Sequence, residues 1–148
     1  MRLKPIAAAI GLISLNFQCS TPLPAADYYG DHITCTALNV YHEARGEPIK
    51  GQFAVALITK NRAKHNPENV CQVVFQSHQF SWTIKMRGVQ DHKRFTDAMR
   101  IASLAWQSVD FTNGSTHYHA DYVKPYWTKS MKRTMKIGKH IFYRERAK

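Results

Sequence analysis

One apolar stripe constrains the fold more than any other feature of the sequence. Phe95, Ala98, Met99, Ala102, Ala105, Trp106 and Val109 recur every three or four positions across residues 94–109. That spacing puts them on one side of an α-helix, and a face that wide must be covered by other elements. Ile33, Ala37, Val40, Tyr41 and Ala44 repeat with the same period. Asp31 can cap that helix, Gly46 can end it, and Pro48 follows. A further helix is expected over residues 50–64, burying Phe53, Ala54, Leu57 and Ile58. Asn66-Pro67-Glu68 reads as cap, first helical position and first-turn acid, opening a short helix with Val70, Val73 and Val74.

The rest of the chain is mixed. Residues 77–88 have no clear period and read as a loop. Asn113-Gly114 signals a turn. Residues 116–123 read as a strand, 127–135 as a last helix and 140–143 as a last strand. The expected fold class is therefore α+β: a mainly helical domain with a small β-sheet. A chain of 148 residues suits one domain, and 44% hydrophobic residues argue against general disorder.

The first 26 residues stand apart. Arg2 and Lys4 precede an apolar run over residues 6–17, the length of a signal-peptide core and too short to span a bilayer. Leu23-Pro24-Ala25 or Pro24-Ala25-Ala26 can end such a peptide. The expected organisation is a signal peptide over 1–26, or an anchor that is never cut, followed by one domain over 27–148. Without 1–26 the chain carries 19 bases against 10 acids, so the positive charge belongs to the domain. Residues 124–148 hold nine bases and one acid, Glu145. Such a surface suits nucleic acid, an anionic membrane or a wall polymer. Cys35 and Cys71 remain once Cys19 is set aside, and one disulfide is the preferred reading for an exported domain; two buried thiols are the alternative.

Chemistry concentrates in Tyr41-His42-Glu43-Ala44-Arg45-Gly46-Glu47 at a helix end. A carboxyl facing a partly apolar cleft stays protonated, as the acid of glycosidic bond cleavage must be. Glu47, four residues on, could raise the Glu43 pKa if the helix continued, and Arg45 could oppose it. The competing reading is a pair of solvated carboxylates bonded to Arg45 and Lys50. Gln79-Phe80-Ser81-Trp82-Thr83 mixes aromatic faces with hydroxyls, as sugar sites do, or tucks its aromatics onto the core. On a strand, His117, His119 and Asp121 would share a face and could ligate zinc. Yet the sequence has no HExxH or C-x-x-C motif, and cleft-lining histidines are preferred.

The segment CTALNVYHEARGEPIKGQ from Cys35 resembles the opening of the SleB-like cell-wall hydrolases, which include spore-cortex-lytic enzymes. AVALITKNRAKHNPENVCQVVFQ, QFSW, THYHADYVKPYW and IGKHIFYR resemble later blocks of that family, in order. The resemblance implies a lysozyme-like α+β fold and cleavage of peptidoglycan between N-acetylmuramic acid and N-acetylglucosamine. It implies that Glu43 is the catalytic acid, that Glu47 and Arg45 support it, and that Cys35 and Cys71 are bridged. Phe80, Ser81, Trp82, His117, Tyr118 and His119 are then expected along the glycan cleft. With one carboxylate in charge, the expected chemistry is lytic transglycosylation; lysozyme-type hydrolysis would need an Asp such as Asp110 or Asp121 across the cleft. The expected partner is the glycan strand, approached with help from an anionic envelope, by an exported monomer without cofactor, metal or nucleic acid. A periplasmic, secreted or phage-encoded enzyme fits equally. The rival classes are an exported metal-dependent nuclease using His117, His119 and Asp121, and a non-enzymatic module that binds anionic polymers.

Overall fold

A computed structural model describes residues 30–85 and 87–147. The signal-peptide expectation for 1–26 lies outside the described residues. Five helices, α1 (His32–Ala44), α2 (Ile49–Arg62), α3 (Val70–Phe75), α4 (Ser81–Ile84) and α5 (His92–Gln107), precede a three-stranded antiparallel sheet. The strands are β1 (His117–Ala120), β2 (Met131–Ile137) and β3 (His140–Glu145), with β3 in the centre. Short 3-10 turns cover Pro67–Asn69 and Tyr126–Ser130. The chain is a mainly helical α+β fold, as the periodicities imply.

The core forms where α1, α2 and α5 meet. Ala37, Val40, Ala54, Leu57, Ile58, Ala98, Ala102 and Ala105 join one buried cluster. Small alanines on all three helices let the backbones approach closely, and residues 54–59 of α2 are buried without a break. Phe142 of β3 is fully buried in the same cluster and ties the sheet to the helices. Two side-chain bonds fix the helix registers. Asn39 donates to the Thr59 hydroxyl at 3.0 Å, and the Trp106 indole N–H donates to the Thr36 hydroxyl at 3.1 Å. A second cluster holds Cys35, Val70, Val74, Phe80 and Trp82. Cys35 and Cys71 are bridged there, with Cα atoms 5.3 Å apart. Closing that 36-residue separation is worth roughly 4 kcal/mol in the chain-entropy account.

The expected caps Asp31 and Asn66 form, and Asp91 adds a third at the start of α5. Asp31 accepts from the Thr34 N–H, Asn66 from Glu68 and Asp91 from Arg94. Four expectations need correction. Val109 is 91% exposed, because α5 ends at Gln107 before the stripe is complete. Residues 77–88 are not all loop: Ser81–Ile84 is a helical turn. The strand expected over 116–123 is shorter, ending at Ala120, where a turn carries the Val123 N–H back to the Ala120 carbonyl. Residues 127–135 are not a helix but a 3-10 turn followed by β2. The β2 register slips between Arg133 and Met135. Met131 and Met135 lie four apart in sequence, a spacing that fits a helix and a strand alike, and the irregularity sets them opposite Glu145 and Phe142 of β3.

Candidate active site

Glu43 is the penultimate residue of α1, and both residues before it are pinned. Tyr41 is buried, and its hydroxyl accepts the backbone N–H groups of Gln90 and Asp91 at 3.2 and 3.0 Å. This fastens the last turn of α1 to the entry of α5. The His42 ring stacks on Trp82, with centroids 4.4 Å apart and planes 16° from parallel. Burial, then the nearby Arg45 charge, lowers the His42 pKa, so the ring is held neutral.

Two depressions meet at Glu43. The first, about 290 Å³, is lined by Glu43, Arg62, Phe80, Thr116, His117, Tyr118 and Trp127, with His78 and Gln79 at its edge. The second, about 300 Å³, is lined by Tyr41, His42, Glu43, Arg45, Ser81, Trp82 and the segment Arg87, Gly88 and Gln90. Among the described residues, Glu43 is the only carboxylate in the lining of either. Burial pushes its pKa above the ordinary glutamate value, and a hydrogen bond from the Tyr118 hydroxyl, 3.5 Å from Oε2, partly opposes that. Burial holds the Tyr118 hydroxyl well above the ordinary phenol value, and the Glu43 charge adds to this, so it remains a donor. The arrangement sets a carboxyl in the cleft wall whose burial favours the protonated form, with the Tyr118 hydroxyl placed to donate to it.

The other expected residues separate. Phe80 and Trp82 border the depressions by their edges, but both are largely buried in the second apolar cluster. Ser81 between them is exposed. His117 lines the first depression; burial, then the Arg62 charge, lowers its pKa. His119 lines neither. It stacks on Tyr143, bonds the Tyr143 hydroxyl through Nε2 at 3.0 Å, and meets Trp127 from the far side. Asp121 does not join the histidines: it lies beyond the end of β1 and pairs with Lys136 at 2.8 Å. Among the described residues, no three His, Cys, Asp or Glu side chains gather as metal ligands.

Glu47 does not act on Glu43. α1 stops at Ala44, and the Glu47 carboxylate turns to the β2–β3 hairpin, where it accepts the Lys139 N–H at 2.9 Å. A side chain at Gly138, which has φ +55°, would collide with that carboxylate. Arg45 lies over the Tyr41 ring, 5.0 Å from its centroid, and does not bond Glu43. Nor do Arg45 and Lys50 pair with the glutamates. Sequence reasoning missed Arg62 and Trp127 as cleft residues. Arg62 looks like an ordinary basic helix end, and only the fold brings the 3-10 turn bearing Trp127 beside His117, with rings 5.5 Å apart.

The cell wall hydrolase family matches residues 46–143. The chain belongs to that family. The match begins just after Glu43, so the family assignment does not rest on that residue. A spore cortex-lytic enzyme of Halalkalibacterium halodurans is 35% identical over 86% of this chain and 38% of its own length. One from Oceanobacillus iheyensis is 30% identical over 78% of this chain and 42% of its own. This cell wall hydrolase thus spans about two fifths of the curated relatives it matches. Its fold is similar to the catalytic domain of the Bacillus cereus SleB protein, with a TM-score of 0.65, 29% identity, and coverage of 76% of this chain and 89% of that one. The catalytic domain of the germination-specific lytic transglycosylase SleB from Bacillus anthracis gives the same TM-score, with 30% identity over 76% of this chain and 93% of its own.

Proposed function

We propose that this chain degrades peptidoglycan, cleaving the β-1,4 bond between N-acetylmuramic acid and N-acetylglucosamine with Glu43 as both acid and base. One observation carries the reading: a single carboxyl, whose burial favours its protonated form, stands where two depressions meet. A glycan laid across both would place its scissile oxygen at Glu43. Glu43 gives its proton to that oxygen as the bond to C1 breaks. The carboxylate, steadied by the Tyr118 hydroxyl, then takes the proton of the muramic C6 hydroxyl while O6 bonds to C1. The product carries a 1,6-anhydro ring, and no water is consumed.

The lack of a second carboxylate in either lining favours this route over hydrolysis, which uses two. Asp110 is committed to the turn before β1, accepting from the Thr112 and Gly114 N–H groups and from Asn61. Asp121 is committed to Lys136. The relatedness to a lytic transglycosylase catalytic domain points the same way. Action on the wall requires export, which the reading of residues 1–26 as a signal peptide would supply. The test is clearance of purified sacculi by wild type and by Glu43→Gln. Removing the proton donor should cost at least about a hundredfold in rate, with an unchanged circular dichroism spectrum. Near-wild-type clearance by Glu43→Gln would end the assignment.

A further inference from the structure

Arg62 is a cation beside Glu43 that the proposed chemistry leaves unused. It closes α2, is half-buried, and lines the same depression as Glu43. Its guanidinium lies over the Phe80 ring, 5.6 Å from the centroid. Among the described residues it makes no ion pair and no side-chain hydrogen bond, with Glu43 or any other group. Burial lowers its pKa, so its charge is held at a cost in solvation. A guanidinium in that position offers a fork of N–H donors toward the cleft with nothing in the protein to receive them.

The surroundings extend the positive character outward. A shallow depression of about 520 Å³ shares Arg62, Thr116 and His117 with the cleft and adds Lys64 and Arg144, against Glu145 as its one acid. A substituent leaving the cleft at Arg62 would enter this trough. An N-acetylglucosamine unit carries no charge. A muramic unit carries one branch, the lactyl group, which ends in a carboxylate or in a peptide bearing carboxylates.

We propose that Arg62 is a specificity residue that binds a carboxylate on the lactyl branch of the muramic unit, with Lys64 and Arg144 extending the attraction. The inference rests on the glycan reading above and names which glycan is preferred. Arg62 touches substrate and takes no part in proton transfer.

The test uses the full chain and three soluble glycan strands. One bears its stem peptides, one is stripped by an amidase to the free lactyl carboxylate, and one bears peptides whose carboxylates have been amidated. Arg62→Gln should raise KM about tenfold on a carboxylate-bearing strand, as loss of a charge-assisted bond does, and leave kcat within about twofold. An effect on the stripped strand marks the lactyl carboxylate; an effect on the peptide strand alone marks the peptide. On the amidated strand wild type and variant should coincide. Equal losses on all three strands, or none, would overturn the proposal. If Arg62→Gln fails to fold, wild type decides by itself: the same KM on native and amidated peptide strands and on the stripped strand overturns it. A wild type inert on every strand would remove the glycan reading along with it, whereas an active wild type indifferent to charge removes only the role of Arg62.

Discussion

The helical layer and the sheet meet at Phe142 but are built differently. In α2, residues 54–59 are buried in succession; in β1 every residue is half-buried, and in β2 only Met131 is buried. The helices are a dry core with the Glu43 carboxyl at an edge. The sheet sets His117 and Tyr118 against the cleft and exposes Lys132, Arg133 and Lys136 along β2. The difference teaches where precision is needed. The proposed proton transfer depends on a fixed donor, and Glu43 sits near the end of a helix whose residues Tyr41 and His42 are held in place. Substrate contact tolerates a more open wall.

The largest effect should come from cutting the link between the two regions. Phe142→Ala removes a fully buried side chain and should cost about 3–5 kcal/mol, read as a lower midpoint in urea. A loss under about 1 kcal/mol would mean that the sheet does not share the helical core. Next is Glu47→Ala, which frees the hairpin from the end of α1 and should cost about 1 kcal/mol, with clearance of sacculi largely kept. Lost clearance in a variant with an unchanged melting temperature would move Glu47 from scaffold to chemistry.

A smaller effect follows from the pKa of Glu43. Its folded value is raised, so the native state holds the proton more tightly than the unfolded chain. The stability this gives is full below the ordinary value of 4.5 and is lost as pH rises through the folded value. Glu43→Gln escapes that loss. The variant should therefore melt no lower than wild type at pH 7, and any advantage should vanish below pH 4.5. A variant clearly less stable than wild type at pH 7 would show that the carboxylate is not strained there. In the same account, kcat falls at high pH as Glu43 ionises.

The sequence was most readable where one rule governs alone. The stripe on α5, the caps Asp31 and Asn66, and the turn at Asn113 and Gly114 (φ 57° and 70°) all follow local chemistry. It was least readable in β2, where the four-residue spacing of Met131 and Met135 suits helix and strand alike, and at Ser81–Ile84, too short to show a period. Glu43 could be singled out as chemically apt, but its burial depends on Tyr118 arriving from 75 residues away. Trp82 shows the reverse ambiguity. Its sequence context suits a sugar platform, whereas its plane is spent on His42 and its edge on Phe75. Arg62 and Trp127 carry no local signal at all; tertiary contact makes them cleft residues.

The central claim is that one carboxyl performs both proton transfers and that no water enters the product. Digestion of sacculi in heavy-oxygen water, followed by mass spectrometry of the released muropeptides, tests it most directly. The account predicts muramic ends lighter than the reducing form by one water and free of heavy oxygen. Reducing muramic ends that carry the label would contradict it, and would require a second carboxylate or a bound water that the cleft around Glu43 must then supply.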